Sequence, residues 1–171
     1  VNTLPGVRTA GVISSLPPAA SQMHTTLTLP DPATKVPRDV SIQMVAASPD
    51  VFTALGVPLK AGRWFDSTDS SGSRRVIVLS DTAARQIFGS DPAVGRTVSF
   101  GAPGGAGPPE VIGVVGDVKY SGLHAAPDGA LYMPTTQRSF ERQYLVVHTH
   151  GAPIDAAPAV RSAIAAIDRP M

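Results

Sequence analysis

Apolar positions along this chain come mostly in short alternating or continuous blocks, the mark of strands, with a helical period in three places. Residues 7–15 form the first block after a Pro5-Gly6 turn signal, and Val12 and Ile13 give it strand character. Residues 23–29 alternate as Thr-Leu-Thr-Leu, which predicts a strand exposed on one face, and Pro30, Asp31 and Pro32 break it. Ser41-Ile42-Gln43-Met44-Val45 alternates again. Residues 75–79 form a continuous apolar run, the pattern of a strand buried on both faces. Thr97-Val98-Ser99-Phe100 and residues 110–118 predict the two strands of a hairpin, the second with a bulge or close backbone contact at Gly113 and Gly116. Residues 130–133 and 144–148 read as two further strands.

The three helical blocks are set off by punctuation. In the first, Ser48 is placed as N-cap, Pro49 at the first helical position, Phe52 and Leu55 on one face, and Gly56 as the left-handed stop. The second is capped by Ser80 or Asp81, carries an Ala84, Ile87 and Phe88 stripe, and ends at Gly89. The third runs over residues 155–168, with Asp155 as cap and Pro158 in the first turn, where its missing N–H costs nothing. Its spacing predicts that Ala157, Val160, Ile164 and Ile167 face a sheet. Strands interleaved with short helices give a mixed α and β class, and no repeat recurs at a fixed period.

A length of 171 residues suits one domain or two small subdomains with a real core. No apolar stretch reaches the roughly 18 residues a membrane-spanning helix needs, and residues 1–6 lack the basic and apolar regions of a signal peptide. The chain as given is therefore expected to be water-soluble, and its two ends suggest a piece cut from something longer. A net charge of +1 argues against nucleic acid as a partner. The absence of cysteine removes disulfide scaffolds, thiolate metal sites and cysteine nucleophiles.

Four constellations could carry chemistry, and each is better read structurally. Gly101-Ala102-Pro103-Gly104-Gly105-Ala106-Gly107 resembles a phosphate-binding loop, but its prolines remove N–H donors and a strand, not a helix, follows. Residues 101–109 are read as a hairpin tip, of no assignable role. His148 and His150 share one side of a strand, a spacing that can ligate a metal, but no third ligand is near in sequence. Asp66-Ser67-Thr68-Asp69-Ser70-Ser71-Gly72 lacks the alternating acidic pattern and distal glutamate of a calcium loop and reads as a solvated turn. Trp64, Phe65 and Tyr120 are candidate interaction residues, since aromatic side chains concentrate at interface centres, although a lone tryptophan more commonly packs in a core. No Gly-x-Ser-x-Gly elbow, Walker A sequence or His-Glu-x-x-His helix occurs, so no catalytic, cofactor-binding or metal residues are assigned. Pattern and composition alone stop at a two-layer α/β module.

Six ordered phrases go further. They are Leu4-Pro5-Gly6-Val7; Ser48-Pro49-Asp50-Val51-Phe52 with Ala61-Gly62-Arg63-Trp64-Phe65; residues 76–95 through Ala83-Ala84-Arg85 and Phe88-Gly89; Val111-Ile112-Gly113-Val114-Val115-Gly116-Asp117-Val118 with Gly122-Leu123; Ala130-Leu131-Tyr132-Met133-Pro134; and Ala166-Ile167-Asp168. In order and spacing they resemble the MacB-like periplasmic core domain of ABC-transporter permeases, closest to its orphan, duplicated members.

The resemblance implies an α+β fold of two mixed α/β subdomains. A membrane-proximal β-α-β-type subdomain would be built from both chain ends, residues 1–60 plus 138–171, with a smaller α/β subdomain, residues 61–137, inserted between them. It also implies a place on the periplasmic side of the cytoplasmic membrane, between two transmembrane helices of a parent permease. The partners implied are those helices, an ABC ATPase, and a second permease protomer or a periplasmic protein. The expected role is non-catalytic and cofactor-free: to transmit ATP-driven motion of the helices outward for export or envelope function. The alternative is a receptor domain that binds a ligand or signal in a cleft between the subdomains.

Overall fold

The computed structural model describes residues 1–18, 23–30, 36–100, 107–122, 124 and 126–167. Strands β1 (Val7–Ile13), β2 (His24–Pro30) and β3 (Pro37–Ala47) are followed by the one-turn helix α1 (Val51–Ala54) and β4 (Leu59–Gly62). Then come β5 (Val76–Ser80), α2 (Asp81–Phe88), β6 (Glu110–Val115), β7 (Ala130–Pro134), β8 (Tyr144–Thr149) and α3 (Pro153–Ile167). All eight strands join one mixed sheet in the order β4-β6-β5-β7-β3-β1-β8, with β2 on β3. β5 runs parallel to β6, and β3 parallel to β7. The other pairings are antiparallel.

The long strand β3 is the spine. Its first half pairs with β2 from Pro37 to Gln43, while its second half, Gln43 to Ala47, lies along β7. Alternation sets the face of each side chain. Ile42, Met44, Ile77, Leu79, Leu131 and Met133 pack on one face with Ala83 and Ala84 of α2. Val45, Val78, Tyr132 and Ile112 pack on the other with Val51, Phe52 and Phe65. A sheet covered on both sides explains why β5 is buried along its whole length, as its continuous apolar run predicts.

The α2 punctuation holds. Ser80 caps the helix by accepting the Ala83 N–H at 3.2 Å, and Gly89 stops it at φ +66°. α1 differs from expectation. It is one turn long, with Asp50 at its N-cap position and no side-chain cap. Ser48 is occupied elsewhere: its Oγ accepts the Val12 N–H at 2.8 Å, while the Ser14 Oγ accepts the Ala46 N–H at 2.9 Å. These hydroxyls extend the short β1–β3 ladder, whose register is set at Ile13–Ala47. The tertiary contact wins the serine from the helix. Gly56 does take the left-handed conformation, φ +67°.

Two further expectations are corrected. Residues 97–100 form no strand; Thr97 makes an isolated antiparallel bridge to Glu110, and the backbone bonds that join Gly95, Arg96 and Val98 to Pro109 and Val111 stop there. α3 starts two residues before Asp155, and its inner side is Ala156, with Ala157, Val160 and Ala163 half-buried, while Ile164 is 45% exposed. The helix is turned because it meets the edge strand β8, whose residues are all half-buried, and not the middle of the sheet. β6 has the expected irregularity, a register shift opposite Ile77 and Val78 that leaves Ile112 unpaired there.

Candidate functional site

The aromatic residues named as interaction candidates converge on Phe52, which the sequence marked only as part of a helix face. Phe52 of α1 stacks on Trp64 with ring centroids 4.8 Å apart and planes 25° apart. Phe65 lies 6.1 Å away, and Tyr132 meets Phe52 edge-on at 5.0 Å. The Tyr120 hydroxyl donates to the Tyr132 hydroxyl at 3.4 Å. Trp64, Phe65 and Tyr120 therefore belong to one cluster centred on Phe52. Phe65 and Tyr120 are buried, and Trp64 is half-buried. Burial pushes the Tyr120 phenol up to about 12 and holds Tyr132 well above the ordinary phenol value. Both stay neutral at physiological pH.

Next to this cluster is a polar junction at one end of the sheet, where β4 and β7 end and β5 begins. Gly62 leaves β4 at φ +74°, and a Cβ there would stand 2.9 Å from the Gly113 Cα of β6. That close approach delivers Arg63, whose two terminal nitrogens each donate to an Asp69 carboxylate oxygen at 2.8 Å. Asp69 is only 3% exposed and also accepts the Asp66 N–H at 2.9 Å. Hydrogen bonds from the Arg63 guanidinium hold its carboxyl below the usual carboxylate range, against the opposing effect of burial. Asp66 is held low by bonds from the hydroxyl and N–H of Thr68. The 66–72 turn is thus only partly solvated: Asp69 is its buried anchor.

The same turn is gripped from the far end of the chain. Thr136 donates its hydroxyl to the Asp69 carbonyl. The Gln137 Nε2 donates to the Ser70 carbonyl, the Ser73 Oγ and the Arg74 carbonyl at 3.1, 3.0 and 2.9 Å, and its Oε1 accepts the Val76 N–H at 3.1 Å. Beyond Gln137, a shallow groove lined by Arg75, Phe100, Met133 and Arg138 has room for about 20 Å³, roughly one water.

His148 lies on β8 opposite Thr9, and the exposed His150 donates its N–H to the Gly6 carbonyl. Among the described residues no group of three His, Cys, Asp or Glu side chains is placed to hold a metal. Residues 101–106 of the glycine-rich tip lie outside the described residues. Of the important polar residues, Arg63 sits in a quoted family phrase and lies six residues from Asp69, but Gln137 carries no local signal, since its partners are distant in sequence.

These features define a mixed-sheet α/β scaffold in which aromatic packing and polar side chains hold the domain's own elements together. The sequence profile of the MacB-like periplasmic core domain matches residues 3–167, and the chain belongs to that family of ABC-transporter permease periplasmic domains. It is 35% identical over 77 residues to a macrolide export ATP-binding/permease protein MacB of Chromobacterium violaceum, a match covering 45% of this chain and 11% of that protein. It is 36% identical over 72 residues to the MacB protein of Aggregatibacter actinomycetemcomitans, covering 42% of this chain and 11% of that one. The matched stretch is thus a small part of either relative.

Solved structures show the same fold. The periplasmic region of MacB from Actinobacillus actinomycetemcomitans superposes with a TM-score of 0.62 at 20% identity, over 97% of this chain and 70% of that one. The extracellular domain of the noncanonic ABC-type transporter YknZ from Gram-positive bacteria gives 0.58 at 21% identity, over 92% and 72%. A domain of a putative permease protein from Porphyromonas gingivalis gives 0.57 at 14% identity, over 94% and 70%.

Proposed function

We propose that this domain is a non-catalytic lever on the periplasmic side of an ABC-transporter permease. It passes ATP-driven motion of the flanking transmembrane helices outward, for export or an envelope function. Its partners in this reading are those helices, the ABC ATPase, and a second permease protomer or a periplasmic protein. Residues 61–137 act as the inserted subdomain, carried by residues 1–60 and 138–171.

The observation that carries the reading is the pairing of the first strand with the last, from Val7–Thr149 to Ile13–Tyr144. Forces applied through the two ends of the domain meet on neighbouring strands of one sheet, which suits a rigid transmitter. The test replaces this domain in the parent transporter with a short linker and measures export together with ATP turnover. Loss of export while the ATPase still turns over is expected; unchanged export and unchanged coupling would defeat the reading.

A further inference from the structure

β5 and β7 pair in only two rows, Val78–Tyr132 and Leu79–Leu131, whereas β2 and β3 pair in seven; the β1–β3 pairing, with its single row Ile13–Ala47, is shorter but is extended by the Ser14 and Ser48 hydroxyls. The β5/β7 seam divides the sheet into a β4-β6-β5 part and a β7-β3-β1-β8 part. Where the two strands diverge, the backbone ladder is continued by a side chain: the Gln137 Oε1 takes the Val76 N–H that β7 does not reach. The Gln137 Nε2 and the Thr136 hydroxyl reach from the β7 side to the 69–74 turn. The Arg63–Asp69 pair ties that turn to the end of β4. One carboxamide and one buried carboxylate thus fasten β4, β5 and β7 at the same end of the sheet.

We propose that Thr136, Gln137, Asp69 and Arg63 form a clasp that locks the two parts of the sheet into a single body, with the two-row seam as the hinge about which they turn when the clasp is released. The backbone argument is specific. A seam this short supplies few hydrogen bonds of its own, and Gln137 satisfies the Val76 N–H of β5, which β7 does not reach. The lock is a property of the domain itself and holds whether or not the parent is a transporter.

Hydrogen exchange on the 171-residue protein tests it, comparing wild type with Gln137→Ala and with Gln137→Glu, which keeps the acceptor for Val76 but loses the donors. For Gln137→Ala the seam amides, Val76 and those of Val78 and Tyr132, are expected to exchange roughly tenfold faster, while the β2–β3 amides of Leu27 and Val40 stay within about twofold. Gln137→Glu should restore protection at Val76 but leave the 69–74 turn loosened. Unchanged exchange at the seam would overturn the proposal. So would an increase shared equally by the seam and the β2–β3 ladder, which would mark a simple loss of global stability.

Discussion

Gly11 of β1 lies directly beneath Val51, the first residue of α1: a Cβ at position 11 would stand 2.8 Å from the Val51 Cβ and closer still to its backbone. This contact seats the one-turn helix on the sheet and so places Phe52 in the aromatic cluster. Gly11→Ala is expected to cost about 3 kcal/mol, because the clash is with backbone that cannot rotate away. Gly56→Ala meets nothing within 4 Å and pays only for its left-handed φ, about 1 kcal/mol. Urea denaturation of the two variants checks the order; equal losses would refute the packing argument.

Phe52→Ala should destabilise the domain by about 3–5 kcal/mol, since Phe52 is 1% exposed and touches Trp64, Phe65 and Tyr132. The chain has a single tryptophan, so its fluorescence reports on Trp64 alone. A red-shifted emission in the still-folded variant is expected, and an unshifted spectrum would mean that the stack does not exclude water from the indole.

The Arg63–Asp69 pair makes stability depend on acid. Asp69 has a folded-state pKa below its unfolded value, so its contribution is complete above the ordinary carboxylate range and is lost as pH falls through the lowered value. A denaturation series from neutral to acidic pH should show wild type losing more stability than Asp69→Asn over that window. At neutral pH Asp69→Asn should cost about 1–3 kcal/mol by weakening bonds to a buried acceptor. Parallel pH profiles would exclude Asp69 as the titrating group.

The tyrosine pair sets the opposite limit. Tyr120 titrates at about 12 in the folded protein, against about 10 unfolded. Its stabilising effect is therefore whole below the unfolded value and is lost as pH rises towards about 12. Phenolate absorbance is expected to rise together with unfolding for two of the three tyrosines. If Tyr120 and Tyr132 ionise while near-UV circular dichroism stays native, their burial has been overstated.

Ser80 serves two masters, capping α2 and accepting the Ala130 N–H at 3.0 Å while fully buried. Ser80→Ala should cost about 2 kcal/mol, more than an exposed cap, because it also orphans a buried donor in β7. A loss below about 0.5 kcal/mol by thermal denaturation would show that water replaces the hydroxyl.

Features encoded within a few residues were legible in the sequence. The β5–α2 unit is fully specified by a continuous apolar run, a serine cap and a terminal glycine, all of which act locally. Features decided by distant partners were not. Ser48 is a good helix cap by its neighbours, but Val12 claims it. The β4 strand, only four residues with Lys60 and Gly62 among them, shows no strand pattern and exists because β6 offers an edge. Trp64, Phe65 and Tyr120 could be named as aromatic candidates, but their meeting point at Phe52 depends on how α1 sits on β1. Asp69 looks solvated because its arginine and the Thr136–Gln137 grip come from outside the turn.

The β1–β8 pairing also dictates an order of events during synthesis. Apart from the Ile13–Ala47 link and its contact with α1, β1 has no strand neighbour until β8 follows it from the ribosome. Entropy alone charges little for so long a loop, because that penalty grows only logarithmically. Time is the stricter constraint: the nascent chain must keep one edge of β1 unsatisfied until β8 has been made, a window in which a holdase chaperone would have its natural client.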